Sequence, residues 1–154
     1  MGGIAWRTGE RIYLDTNLFI YAVEAINPYA EHVGHLFQAA DRGDIKLVTS
    51  LLTLAEALVM PFRRGDDLLI NAYRELFLHP PAGLLVAQLD ADILERAARL
   101  RASSSSLRLP DAIHLATAES EQCNLFATND RRFCSSSALR VVVFANEGGC
   151  LAGQ

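Results

Sequence analysis

The stretch IYLDTN at residues 12–17 decides the fold and contains the first candidate functional residue. Three apolar or aromatic residues lead directly into Asp15, and a helical pattern of apolar residues starts at Leu18. A short apolar run before a helix is typical of a buried strand in a parallel sheet. Ligands bind just beyond the carboxyl ends of such strands, where Asp15 is expected. Asp is also a favoured helix N-cap, so the stretch alone leaves both roles open.

The alternation of apolar runs and helical patterns continues along the chain. Four more strands are predicted at residues 45–49, 84–89, 125–127 and 140–145. Six helices are predicted at residues 18–25, 28–40, 51–60, 66–78, 91–102 and 111–121, with N-caps at Asn27, Ser50 and Asp90. This order predicts an α/β fold with a five-stranded parallel sheet, and it leaves the strand order open.

Length and composition predict one domain over residues 1–154, with a loose lead-in at residues 1–10 and a flexible tail at residues 148–154. Hydrophobic residues make up 51% of the chain and the mean hydropathy is +0.16, which favours a buried partner surface in addition to a core. No uncharged apolar run approaches the roughly 18 residues of a membrane span, and no basic-then-apolar leader opens the chain. We therefore expect a cytoplasmic protein that does not enter the membrane.

The net charge of −4 argues against a surface that is basic throughout and coats nucleic acid. The basic residues are nevertheless unusual, since thirteen arginines stand against one lysine, with pairs at residues 63–64 and 131–132. Arg binds phosphate through planar bidentate contacts, although genomic base composition is another source of this bias. The three cysteines are odd in number and lie without close pairing, which argues against a disulfide framework or a cysteine-based zinc site.

Three further acids occupy positions comparable to that of Asp15. Glu56 interrupts an apolar helix, so it is expected to be buried or to point into a cleft, unless it is a salt-bridged residue. Asp111 follows Pro110 in the first turn of a helix, where an acid also stabilises the helix dipole. Asp130 comes just after a strand, where a turn-forming role is the alternative. In an open α/β sheet, these positions can converge on one crevice.

Several carboxylates gathered without a nearby lysine repel one another, which raises their pKa values. Hard divalent cations relieve this repulsion, and a ligand set made only of oxygens suits Mg²⁺ or Mn²⁺. Such cations also bind phosphate oxygens. The acids therefore favour metal-dependent phosphoester chemistry.

Four motifs, taken in order, resemble the PIN-domain ribonucleases, and among them the VapC-type toxins of bacterial toxin–antitoxin pairs. The motifs are LDTN at residues 14–17, TLAEAL at 53–58, LPDAIHLA at 109–116 and ATNDRRF at 127–133. The resemblance extends from about residue 12 to residue 144. It implies a three-layer αβα fold and a Mg²⁺- or Mn²⁺-dependent endoribonuclease. It also implies a homodimer and a cognate antitoxin whose tail covers the active site.

The resemblance also implies roles for individual residues. Asn17 and Thr128 would orient carboxylates or water. The implied catalytic metal ligands, of which the first three form the core, are Asp15, Glu56, Asp111 and Asp130. The arginine pairs are candidate contacts to the RNA backbone, with solvated surface arginines as the alternative: Arg63, Arg64, Arg131 and Arg132.

Two other functions stay open at this point. One is a PIN-domain nuclease for RNA processing without an antitoxin, and the other is a non-catalytic protein-binding module that has kept the fold. The four acids disfavour the module, because a binding surface has no use for a repulsive buried cluster. Among the histidines, His32 and His35 are expected at the surface, and His114 in the core or at the edge of the pocket. No glycine-rich phosphate loop is present, which argues against P-loop and dinucleotide-binding folds.

Overall fold

The computed structural model describes residues 4–135 and 139–144. The strands are β1 (Arg11–Leu14), β2 (Lys46–Ser50), β3 (Leu84–Ala87), β4 (Leu125–Thr128) and β5 (Arg140–Val143). The helices are α1 (Thr16–Val23), α2 (Tyr29–Asp41), α3 (Leu51–Arg64), α4 (Asp67–Leu78), α5 (Ala91–Ser103) and α6 (Leu109–Ser120). A 3₁₀ turn follows β4 and covers Arg131–Ser135.

The five strands are parallel and form one sheet in the order β3-β2-β1-β4-β5. The chain moves outward from β1 to β2 and β3, and then returns to place β4 on the other side of β1. Right-handed crossovers that run in opposite directions put their helices on opposite faces of the sheet. Helices α1 to α4 therefore pack on one face, and α5 and α6 on the other. The predicted three-layer αβα fold is confirmed.

Strand β1 is buried on both faces, which explains why its sequence shows an apolar run rather than an alternation. Ile12 and Leu14 belong to the core beneath α1 to α4, together with Phe19. Tyr13 points to the opposite face and stacks on Phe126, with ring centroids 5.3 Å apart. Successive side chains of a strand point to opposite faces, so only a strand covered on both sides has this pattern.

Most helix boundaries lie within one or two residues of the predicted ones, and the larger differences are at two prolines. Helix α3 continues through Pro61 to Arg64, although its end was predicted at residue 60. Pro61 is buried inside the helix, although a proline at this position removes one backbone hydrogen bond. The helix ends at Gly65, whose φ of 64° lies in the left-handed region that glycine adopts without strain. The predicted cap at Asn27 is also wrong, because Pro28 occupies the N-cap of α2 and makes no side-chain capping bond.

The two ends of the chain are only partly described. Residues 4–10 contain neither helix nor strand, yet Ile4 packs into the core. The predicted flexible tail and the last residue predicted for β5 lie outside the described residues. The extent of the single domain over residues 1–154 stays a prediction. Among the helices that the structure describes, none combines the length and the hydrophobicity needed to span a bilayer.

Candidate active site

Strands β1 and β4 are neighbours in the sheet, so the residues after their carboxyl ends lie side by side. The backbone of Asp15 donates a hydrogen bond to Ala127 O at 2.9 Å. Thr128 Oγ1 donates to Asp15 Oδ2 at 2.7 Å and accepts from Asp130 N at 3.0 Å. The order of the strands reverses at this point, and such a reversal is the usual place for a ligand in an open α/β sheet.

Asp15 is a helix cap and also part of a polar cluster. Its Oδ1 accepts a hydrogen bond from Thr16 N at 2.8 Å, which caps α1. Burial raises the pKa of Asp15, while the charge of His114 and the hydrogen bonds from Thr128 and Thr16 act in the opposite direction. A cap uses only one of the two carboxylate oxygens. The second oxygen, held by Thr128, has no part in capping.

Glu56 reaches the same place from α3. Its Oε1 accepts a hydrogen bond from Thr16 Oγ1 at 2.8 Å and lies 2.6 Å from His114 Nε2. The same His114 nitrogen lies 3.8 Å from Asp15 Oδ1. Burial alone would raise the pKa of Glu56, but the hydrogen bond and charge of His114 outweigh it and lower that pKa. Asp15 and Glu56 are therefore brought together around one imidazole and one threonine.

His114 is fixed from behind by a second hydrogen bond. Its Nδ1 lies 2.7 Å from the hydroxyl of Tyr13, which in turn lies 3.2 Å from Ser50 Oγ. An ionised carboxylate only accepts hydrogen bonds, so Nε2 of His114 carries a proton when it contacts Glu56. Burial raises the pKa of Tyr13, which keeps the phenol neutral. These contacts link the core beneath the sheet to the carboxylates of Asp15 and Glu56 at the carboxyl ends of the strands.

Asp111 and Asp130 form a second pair, which is bridged by Arg132. Arg132 Nε donates to Asp130 Oδ2 at 2.8 Å and to Oδ1 at 3.0 Å, and its Nη2 also contacts Oδ2. The same Nη2 lies 3.7 Å from Asp111 Oδ2, which accepts a further bond from Arg108 N at 3.0 Å. The hydrogen bond from Arg132 is the main reason why the pKa of Asp130 is lowered. The bond from Arg108 N lies at the start of α6. It agrees with the alternative role predicted for Asp111, which is to stabilise this helix.

The four predicted acids therefore lie in two pairs, one around His114 and one around Arg132. In the part of the chain that the structure describes, no three His, Cys, Asp or Glu side chains are grouped as a metal site. The donor set still fits a hard divalent cation, because all four groups are carboxylates and one of them is buried. A buried carboxylate such as Asp15 is stabilised by a positive charge beside it. Binding of one cation by the whole quartet stays a prediction.

The supporting residues differ in what they contact. Thr128 binds the carboxylate of Asp15, whereas Asn17 Nδ2 donates to Asn129 Oδ1 at 3.2 Å. Arg63 and Arg64 are exposed in the last turn of α3. They follow Glu56 by seven and eight residues, so they lie on the same side of the helix and about 10 Å further along it.

His114 lies in the core and at the edge of the pocket, as the sequence predicts, but its contact with Glu56 was not predicted. No role was predicted for Thr16. Arg132 was predicted as an RNA contact or a solvated surface residue, and not as a partner of the acids. The signals were the spacing of three residues between Asp111 and His114, which puts both on one helix face, and the direct adjacency of Thr16 to Asp15.

A family model described as the PIN domain matches residues 12–138, a range that contains all four motifs. No curated protein sequence is similar enough to match.

Several solved structures have the same fold. VapBC2 from Rickettsia felis, bound to a DNA fragment from its promoter, has a TM-score of 0.68 and 17% identity, covering 88% of this chain and 99% of that one. VapC20 from Mycobacterium tuberculosis, a toxin that cleaves the sarcin–ricin loop, has a TM-score of 0.62 and 17% identity, with coverages of 75% and 86%. A toxin–antitoxin complex from Klebsiella pneumoniae has a TM-score of 0.58 and 25% identity, with coverages of 80% and 91%. The family model confirms the resemblance to the PIN domain, and the solved structures confirm the fold.

Proposed function

We propose, from the fact that this chain belongs to the PIN-domain family, that it is a metal-dependent endoribonuclease and the toxin of a toxin–antitoxin pair. The observation that carries the proposal is the position of Asp15 and Glu56. Both carboxylates are held at the carboxyl end of the sheet, at the reversal of strand order, by His114 and Thr16. A structural core gains nothing from two carboxylates brought together there, because they repel each other.

The cation would be Mg²⁺ or Mn²⁺, since its ligands would all be hard oxygens. The residues that would hold it are Asp15, Glu56, Asp111 and Asp130. When bound, a divalent cation supplies positive charge to the transition state of phosphodiester hydrolysis and makes water more acidic.

The chain's own residues prepare the carboxylates before substrate arrives. Thr128 and the backbone of Thr16 each hold one oxygen of Asp15. His114 and the hydroxyl of Thr16 hold Oε1 of Glu56, and Tyr13 fixes the imidazole. Side chains that are already oriented need little reorganisation when a cation and a phosphate bind, which is the main advantage of such supporting hydrogen bonds.

RNA would be bound by positive charge around the acidic centre. The net charge of −4 makes the attraction local rather than global. The exposed Arg63 and Arg64 follow Glu56 along α3, and Arg131 and Arg132 follow Asp130 directly. Arginines on two sides of the carboxylates can bind consecutive phosphates of a single strand.

A cognate antitoxin and a homodimer are proposed partners, and the cytoplasm is the proposed location. Solved proteins of this fold include toxin–antitoxin complexes, which supports the antitoxin. Large apolar side chains are also exposed on α3 and α4, with Phe62 at 56% and Leu68 at 87% exposure. Exposed apolar side chains of this size favour a protein partner.

The function is tested by brief expression of the protein in bacteria, followed by sequencing of RNA 5′ ends. The proposal predicts new ends at a small set of sites, absent from cells that express Asp15→Asn. The same RNA 5′ ends in cells that express wild-type protein and in cells that express Asp15→Asn would contradict the proposed ribonuclease activity. A small gene that overlaps or adjoins this one, and whose product abolishes the new ends, would separate a toxin from an RNA-processing nuclease.

A further inference from the structure

We propose that Arg132 is an internal counter-cation, which binds Asp130 and Asp111 in the metal-free protein and has to leave them before a divalent cation binds. The inference rests on the proposed function, because it concerns the same acids. In this role Arg132 lowers the affinity of the site for a divalent cation.

The contacts of Asp130 are the first argument. An ionised carboxylate offers about four acceptor positions. Arg132 Nε donates to both oxygens of Asp130, Nη2 contacts Oδ2, and the backbone N of Arg132 donates to Oδ1 at 2.9 Å. One residue thus contacts both carboxylate oxygens that a cation would need as ligands.

The bridge to Asp111 is the second argument. Arg132 Nη2 lies 3.7 Å from Asp111 Oδ2, so the guanidinium lies between two acids from different elements, α6 and the turn after β4. Its charge is also stabilised electrostatically by Asp15. Three of the four acids therefore interact with Arg132. A positive charge among these acids compensates their repulsion, which is the task that a divalent cation would otherwise perform.

The local backbone explains why Arg132, and not Arg131, takes this position. The two residues open the 3₁₀ turn Arg131–Ser135, which is anchored by the buried ring of Phe133 against Phe126 at a centroid distance of 4.8 Å. Within this turn Arg132 contacts Asp130, while Arg131 is exposed. The two arginines therefore form a matched pair: same charge, adjacent positions, and only one in contact with the acids.

The consequence is a competition between the guanidinium and the metal. A ligand that binds only one state of a protein has its apparent affinity reduced by the population of the other state. Removing Arg132 should therefore tighten metal binding, whereas a residue that merely supports the site would weaken it when removed. An increase or a decrease in metal affinity on removal of Arg132 therefore distinguishes a competing residue from a supporting one.

The test measures the dissociation constant of Mn²⁺ by electron paramagnetic resonance of the free ion. The variants are Arg132→Gln, Arg131→Gln and Arg132→Lys. We expect Arg132→Gln to bind Mn²⁺ at least about fivefold more tightly than the wild-type protein and Arg131→Gln to differ by less than about twofold. Arg132→Lys keeps the charge but loses the planar fork, so a smaller tightening is expected, and its retained charge protects the fold.

The melting temperature is a second readout, and like Mn²⁺ binding it does not depend on RNA cleavage. In EDTA, Arg132→Gln should melt below the wild-type protein because the acids lose their counter-charge, and saturating Mn²⁺ should remove this difference. Binding by Arg132→Gln that is equal to wild type or weaker overturns the inference and leaves the proposed function standing. Absence of Mn²⁺ binding in the wild-type protein and in both Arg132 variants overturns the metal-dependent function and the inference with it.

Discussion

His114 Nε2 lies 2.6 Å from Oε1 of Glu56, although 58 positions separate the two residues in the chain. The contact joins α6 to α3 and thereby fixes the relative position of elements on opposite faces of the sheet. The imidazole is almost fully buried, at 1% exposure, so the contact is protected from competition by water. It is therefore both a packing contact and the support of a candidate catalytic carboxylate.

Replacement of this imidazole should affect stability and activity together. His114→Phe keeps a ring but loses the bonds to Glu56 and Tyr13. We expect the free energy of unfolding to fall by about 1–3 kcal/mol and RNA cleavage to fall with it. Urea denaturation and a cleavage assay measure the two effects. His35→Phe, at an exposed position of α2, is the control and should retain full cleavage. RNA cleavage at the wild-type rate by a folded His114→Phe protein would show that activity does not require the contact between His114 and Glu56.

Asp15→Asn separates the capping role of Asp15 from its proposed catalytic role. Asn caps a helix about as well as Asp, and it removes a buried negative charge, so the melting temperature should stay the same or rise slightly. Cleavage should fall by more than about 100-fold, since an amide oxygen is a poor ligand for a hard cation. The chain offers a matched control in Asp90, which caps α5 by accepting a bond from Ile93 N at 2.9 Å. Asp90→Asn should be folded and fully active, and an equal loss of cleavage in both variants would contradict a specific role of Asp15.

Thr128→Val tests whether the threonine hydroxyl orients Asp15. The substitution keeps the shape but leaves Asp15 Oδ2 without its donor and Asp130 N without its acceptor. We expect a loss of about 1–3 kcal/mol in stability and a decrease in Mn²⁺ affinity of about 10- to 100-fold. Thr117→Val is the control, because Thr117 Oγ1 donates to Ile113 O of its own helix at 2.7 Å. Unchanged Mn²⁺ affinity in Thr128→Val would remove Thr128 from the site.

Cys123 gives a prediction about reactivity. Burial raises the pKa of its thiol to about 12, so the thiol is almost entirely protonated at pH 7. The other cysteines lie where side chains are not described, so the experiment uses a protein with Cys134→Ser and Cys150→Ser. Iodoacetamide should modify Cys123 slowly in the native protein and rapidly in urea, as followed by mass spectrometry. Rapid modification at pH 7 without urea would contradict the buried position of this residue.

The sequence predicted the fold and the positions of the acids because both depend on local patterns. Asp15 and Asp130 follow buried strands, and a side chain directly after a parallel strand has to lie at the carboxyl end of the sheet. The pairing of strands depends on contacts between residues far apart in the chain. Thr128 and Asp15 meet across 113 positions only because β4 returns to the side of β1. One sequence contains no local signal for that return.

The contacts of the charged side chains could not be predicted for a similar reason. Arg131 and Arg132 are equivalent in the sequence, and the 3₁₀ turn anchored by Phe133 decides which of them reaches Asp130. The position of His114 on the same helix face as Asp111 was predictable, but its contact with Glu56 also requires the packing of α3. The continuation of α3 through Pro61 was not predicted because the burial of that ring is a tertiary effect.

Metal-dependent cleavage of RNA is the central claim, and one assay tests it directly. Purified wild-type protein is dialysed against EDTA, mixed with a labelled RNA that carries a site mapped in cells, and assayed before and after addition of excess Mg²⁺ or Mn²⁺. Asp15→Asn and Asp90→Asn proteins are assayed in parallel. Our account predicts no cleavage in EDTA, recovery with either cation in the wild-type and Asp90→Asn proteins, and no recovery in Asp15→Asn. Undiminished cleavage in excess EDTA, or full cleavage by a well-folded Asp15→Asn protein, would contradict it.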